Sequence, residues 1–148
     1  MSTTITFRIA RPTDWPAVSN LLSAANLPLD GAQAHLIDFV LAVRDEDLIG
    51  AAALERYGDY GLLRSVAVIA DEHGRGLGTA LTQQLIDRAR ADGLRGLVLL
   101  TETAQDFFPR FGFRRIDRAA VPLPVQESIE FKSACPQSAV AMLLDLTL

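Results

Sequence analysis

The sequence predicts an α/β (α+β) fold: a mixed sheet with an antiparallel N-terminal meander and accompanying helices. Three observations carry this expectation. Apolar, β-branched runs between Phe39 and Val68 are separated only by the short turns Asp45-Glu46-Asp47 and Gly58-Asp59, as consecutive hairpins require. Helical spacing then takes over, with Leu81, Leu85, Ile86 and Ala89 on one face of Gly78–Ala91. Leu97–Thr101 follows as a nearly continuous apolar run, which suits a strand buried on both faces. The 148 residues, 49% of them hydrophobic, fit a single domain, 1–148, with a real core.

The elements follow in order. Thr4–Ile9 alternates β-branched residues and reads as a strand. Arg11–Ala25 reads as a helix, with Thr13 as its cap and Val18, Leu21, Leu22 and Ala25 as its apolar stripe; Pro16 is tolerable in the first turn. A weaker helix is expected over Ala32–Asp38. Strands are expected at Phe39–Val43, Leu48–Tyr57 and Tyr60–Val68. The helix over Gly78–Ala91 ends at Gly93, a residue suited to a left-handed cap. After the strand Leu97–Thr101 come a short helix over Ala104–Phe111 and a strand over Phe113–Ile116. An irregular segment is marked by Pro122, Pro124 and Pro136, and a last strand covers Val140–Leu146. The unit from Leu62 to Thr101 is long enough for a crossover between parallel strands.

Composition excludes several functions. No apolar stretch approaches the ~20 residues that span a bilayer, and MSTTITFRIA lacks the basic and apolar regions of a signal peptide. A net charge of −4 argues against a general nucleic-acid binder. The single cysteine, Cys135, has no internal disulfide partner and reads as a packed small hydrophobe. With no disulfide framework, a cytoplasmic location is expected. His35 and His73 are far apart and neither has metal-ligand spacing around it, so no metal is expected.

The chemistry is expected at the start of the crossover, in Glu72-His73-Gly74-Arg75-Gly76-Leu77-Gly78-Thr79. Three glycines alternate between a strand and a helix. Glycine permits positive φ and close approach of a ligand to the backbone. Free amides at the helix start, aided by its dipole, make an anion site that suits a diphosphate. The alternative is an ordinary tight turn. It is not a P-loop, because no Gly-Lys-Ser/Thr follows, and the spacing after Gly78 departs from a dinucleotide fingerprint.

VAVIADEHGRGLGTAL, residues 66–81, resembles motif A of the GNAT N-acetyltransferases, whose loop reads Arg/Gln-x-x-Gly-x-Gly/Ala; here His73, Gly76 and Gly78 take those places. FFPRFGF, residues 107–113, is similar to the family's Phe-Tyr-x-x-x-Gly-Phe. The resemblance implies a GNAT fold and acetyl-CoA as cosubstrate. It further implies that the amides of Gly74, Arg75, Gly76, Leu77, Gly78 and Thr79, with His73, hold the pyrophosphate. The strand Val66-Ala67-Val68 would pair with the pantetheine arm, against which Phe108 would pack. There are two departures. His73 replaces the usual Arg or Gln, and Phe108 stands where many members place the tyrosine thought to protonate the leaving thiolate. LLRSVAV, LLTETAQDFFPRFGF and the tail VPLPVQESIEFKSACPQSAVAM look like the N-acetyltransferases encoded with arsenic-resistance genes and the acetyltransferase domain of N-acetylglutamate synthases.

The implied reaction is direct attack of a small-molecule amine, amino-acid-like or an arsenic-containing glutamate analogue, in a ternary complex. Alternatives are a protein amine as acceptor, and a non-catalytic coenzyme-A-binding regulatory module, which the missing tyrosine keeps in play. The expected partners are the amine and, allowing for self-association, a second copy in a homodimer; no nucleic acid or membrane is expected.

Within the site, the base is expected to be Glu55, at the end of an apolar strand, or Glu102, after the strand Leu97–Thr101, with ordered water alone as the third alternative. The alternatives are a solvated strand-end carboxylate for Glu55 and the cap region of the next helix for Glu102. The amide of Val66 is the candidate oxyanion donor. Arg64, Ser65 and Thr101 are the candidate acceptor-binding residues. Arg64 sits in an apolar strand, where a guanidinium needs an anion. That anion is either the acceptor's carboxylate or a local acid such as Glu55.

Overall fold

The computed structural model describes residues 4–128, 131–132 and 138–147; Cys135 lies outside them. The strands are β1 (Ile5–Ile9), β2 (Phe39–Arg44), β3 (Asp47–Tyr57), β4 (Tyr60–Val68), β5 (Gly96–Thr101), β6 (Arg114–Ile116) and β7 (Val140–Asp145). The helices are α1 (Trp15–Ala24), α2 (Leu77–Ala91) and the single turn α3 (Leu123–Gln126). Hydrogen bonding orders the strands β1-β2-β3-β4-β5-β7-β6 in one mixed sheet. This is the α/β class, and the meander and the parallel β4–β5 pair both stand where the sequence predicts them.

Two compact units can be distinguished: residues 1–54 with 65–85, and residues 55–64 with 86–148. In the first, β1 pairs antiparallel with β2, and β2 with β3. The β2–β3 turn is carried by Asp45 and Glu46 at φ 49° and 74°, the double left-handed geometry of a two-residue hairpin. Val18, Leu21 and Leu22 of α1 are buried in a core with Phe39, Leu41, Val43 and Ala51. Gly50 of β3 allows α2 to lie close, since a Cβ there would sit 2.9 Å from a Leu81 methyl and 3.3 Å from one of Leu77.

The entry to α1 corrects one expectation. Thr13 does not cap the helix; it lies inside a 3-10 turn, Pro12–Asp14. Asp14 secures the entry instead. It accepts the Arg11 amide at 2.7 Å and both Arg8 guanidinium nitrogens at 2.8 and 2.9 Å. The Arg8 hydrogen bonds pull the Asp14 carboxyl down to about 2. Ala25, expected in the buried stripe, is exposed because the helix has already ended. Asn26 closes it at φ 60°, with Leu27 N donating to Leu22 O at 2.9 Å, a Schellman closure. The weak helix over Ala32–Asp38 forms as a 3-10 segment, Gln33–Asp38.

In the second unit, β4 and β5 are parallel through Tyr60–Leu62 against Gly96–Val98, and β7 pairs antiparallel with both β5 and β6. Leu62, Val98, Val121, Val125 and Ala141 form its core. Gly93, at φ 77°, caps the end of α2 as its position in the sequence suggests, with Leu94 N donating to Ala89 O at 3.0 Å. The helix predicted over Ala104–Phe111 does not form; only a 3-10 turn, Phe108–Phe111, appears. Pro109 has no N–H to give Gln105, and its ring clashes with that carbonyl. The proline-marked segment is more regular than expected, since α3 starts directly after Pro122.

Among the described residues, no helix is long and apolar enough to cross a membrane.

Candidate active site

The glycine loop is built from both of its ends. β4 delivers the chain to a 3-10 turn, Ala70–Glu72, after which residues 73–76 are exposed. Gly74 and Gly76 hold φ values of 79° and 81°. A Cβ on either would meet nothing within 4 Å. These glycines therefore serve backbone conformation, and the space beside them is open. Gly78 is different: it already belongs to α2. The first helical bond there runs from Ala80 N to Gly76 O at 3.0 Å. The amides of Leu77, Gly78 and Thr79 thus have no acceptor within the helix. Three such amides at the positive end of a 15-residue helix, behind two left-handed glycines, suit a diphosphate and fit the phosphate end of coenzyme A. His73 is exposed, and its Nε2 lies 2.8 Å from Val68 O, a bond made by the tautomer protonated at Nε2.

Within β4, Ser65 is left-handed at φ 60°, unusual for a non-glycine residue inside a strand. A left-handed residue breaks the two-residue alternation of a strand. Strict two-residue parity along β4 is therefore not assured across Ser65. Ser65 and Ala67 are buried, while Val66 and Val68 are half-buried.

Glu55 and Arg64 meet in the second unit. Arg64 Nη1 donates to Glu55 Oε2 at 3.1 Å, with side-chain exposures of only 1% and 2%. The Tyr57 hydroxyl donates to the other Glu55 oxygen. The local acid expected as a partner of Arg64 is in direct hydrogen-bond contact with it. Tyr57 was missed by sequence reasoning, although its place two residues from Glu55 puts both on one face of β3.

Thr101 ends β5 and Glu102 follows it. Thr101 Oγ1 accepts the Ala104 amide at 3.0 Å, and since no helix starts at Ala104, Glu102 has no helix there to cap. Glu102 is exposed and accepts the Ser138 hydroxyl at 2.6 Å, a contact between residues 36 apart that no local pattern signals.

Phe108 is 7% exposed and packs edge-to-face on Phe107 and Phe113, with ring centroids 5.0 and 5.7 Å away. No group of three His, Cys, Asp or Glu among the described residues could hold a metal ion.

These features agree with comparison to known proteins. An amino-acid acetyltransferase of Neisseria meningitidis is 29% identical over 90 residues, 60% of this chain and 21% of the relative. The chain thus spans about a fifth of the length of the curated relatives it matches. N-acetylglutamate synthase from Neisseria gonorrhoeae, solved complexed with coenzyme A and N-acetyl-glutamate, has the same fold. Its TM-score is 0.83 at 22% identity, covering 100% of this chain and 36% of that one. Rv2747 from Mycobacterium tuberculosis, solved in complex with CoA, gives a TM-score of 0.77 at 25% identity, covering 95% of this chain and 98% of that one. The model of the acetyltransferase (GNAT) family matches residues 7–113, which include β4, the glycine loop and α2. The chain belongs to the acetyltransferase (GNAT) family.

Proposed function

We propose that this protein is an acetyl-CoA-dependent N-acetyltransferase acting in the cytoplasm on the amine of a small, amino-acid-like molecule. The observation that carries the reading is the paired left-handed Gly74 and Gly76 at the mouth of α2, immediately after β4. Family membership supports reading this anion cradle as a coenzyme A site rather than a site for a free phosphate. The amino-acid acetyltransferases that the chain resembles support an amino-acid-like acceptor. An arsenic-containing glutamate analogue lies within that class.

Acetyl-CoA supplies the thioester. The loop amides from Gly74 to Thr79 bind its pyrophosphate, and Val66, Ala67 and Val68 offer backbone to its pantetheine arm. The acceptor must reach the site as a neutral amine, so a base must take its proton directly or through one water. Glu102 suits this role because it is exposed and oriented by Ser138. Glu55 is sealed from solvent with both oxygens engaged, and acts by holding Arg64. The Val66 amide, directly after left-handed Ser65, is the oxyanion donor, a contribution of ~3–4 kcal/mol for one preorganised group. Phe108 has no proton to give, so water protonates the departing thiolate. Orientation of the two reactants accounts for much of the rest, ~7–11 kcal/mol in well-aligned cases.

The test is thiol release from acetyl-CoA across a panel of amino acids, polyamines and glutamate analogues, including arsenic-containing ones. Acceptor-dependent thiol release with a carboxylate-bearing amine is expected. Binding of acetyl-CoA without turnover on any amine would favour a regulatory module, and turnover only on peptide N-termini would favour a protein acceptor.

A further inference from the structure

Residues 73–76 of the glycine loop are exposed, and Cβ atoms built on Gly74 and Gly76 find no neighbour. The loop therefore has little packing of its own, and its shape is imposed from its two ends. At the far end Leu77 is buried and α2 begins. At the near end Ile69 packs on the core and donates its amide to Ile49 O at 3.0 Å, and the three-residue turn Ala70–Glu72 lies between it and the loop. The turn is closed by Glu72 N to Ile69 O at 3.0 Å and His73 N to Ala70 O at 3.1 Å. The side chains of Ala70 and Asp71 are exposed.

The buried member of that turn is a carboxylate. Glu72 is 5% exposed, and it receives both terminal nitrogens of Arg44, from the end of β2; the Nη2 to Oε1 distance is 3.2 Å. A glutamate two residues before Gly74 is an unexpected choice beside a diphosphate site, since its charge opposes the ligand's. The two-pronged guanidinium resolves this. It cancels the charge and, through paired bonds of fixed direction, ties the turn to β2. The His73 ring adds a second tie, to Val68 O.

We infer that Arg44 and Glu72 are positioning residues for the cofactor: their ion pair sets the approach of the pyrophosphate loop and neutralises the one buried anion beside it. This rests on the coenzyme A reading of the loop given above.

The experiment measures the dissociation constant of coenzyme A by calorimetry on the full chain. It is run at a temperature where circular dichroism shows each variant folded. Arg44→Met leaves Glu72 as an unopposed anion and frees the turn. It should weaken coenzyme A binding by about tenfold or more, the scale of one uncompensated charge in a partly buried site. Adding Glu72→Met to that variant removes the anion and should recover part of the loss. Arg44→Lys keeps the charge without the fork, should fold where Arg44→Met does not, and should bind coenzyme A with intermediate affinity. A pair that only stabilises the fold would lower the melting temperature of all three variants but leave the coenzyme A dissociation constant of the folded protein within twofold of the parent. That result overturns the inference alone. A parent protein that does not bind coenzyme A overturns the coenzyme reading, and this inference with it.

Discussion

Replacing Arg64 with Met tests how the second unit manages its most deeply buried charges. Arg64 and Glu55 have side-chain exposures of 1% and 2%, and their closest atoms are 3.1 Å apart. Neither charge is screened by solvent, so removing one takes from the other the opposite charge that lies 3.1 Å away, at a cost of ~3–5 kcal/mol. Against the ~5–15 kcal/mol that holds a typical domain together, this is a large fraction. For a chain of this size it corresponds to a fall in melting temperature of roughly 10–15 °C. The second half of the test is the double variant Arg64→Met/Glu55→Leu. A buried pair replaced by apolar side chains of similar volume is often neutral or stabilising. The double variant should therefore regain most of the lost stability, short of about 1 kcal/mol for the hydrogen bond that Tyr57 no longer makes to Glu55. Urea unfolding of the parent, both single variants and the double gives the coupling free energy directly. Losses that simply add, leaving the double variant no better than its weaker parent, would refute the claim that these two charges are energetically coupled. The same variants then decide between roles. A double variant that is stable yet has a raised Michaelis constant for the acceptor alone would return Arg64 to acceptor recognition.

Three further outcomes are expected. Gly76→Glu should abolish the rise in melting temperature produced by acetyl-CoA. The site is open enough for the side chain, but the residue would have to hold φ 81° and would place a negative charge at the pyrophosphate; a folded variant with full affinity would move the cofactor site elsewhere. Thr82 is fully buried, and its hydroxyl has no partner among the described residues. Thr82→Val should thus raise stability by about 1 kcal/mol in urea unfolding, and a loss would reveal a hydrogen bond to that hydroxyl. The depressed Asp14 carboxyl, at about 2, contributes stability that is present above the unfolded value near 3.8 and disappears as pH falls through the folded value. Asp14→Asn should consequently be less stable than the parent at pH 6, and the gap should narrow steeply as pH falls towards 2; a gap independent of pH would show that charge is not its source.

Much of this protein is determined by local sequence. Strand alternation, the helical spacing of Leu81, Leu85, Ile86 and Ala89, and the turn residues at 45–47, 58–59 and 93 each state their conformation within a few residues. The structure repeats them nearly to the residue. Gly74 and Gly76 are legible for the same reason, because only glycine takes positive φ freely. Local rules also explain the failures at Thr13 and Ala104–Phe111. Asp14 has a better-placed charged partner in Arg8, and Pro109 removes an amide that a longer helix would need. What only the tertiary structure decided is of another kind. The left-handed turn at Ser65 has no glycine to announce it. Arg44 and Glu72 are 28 residues apart, and Glu102 and Ser138 are 36 apart. The choice of Glu55 as the partner of Arg64 depends on the register of neighbouring strands. A buried charge must find its counterion wherever the fold brings one, and that pairing is a property of packing that no window of sequence contains.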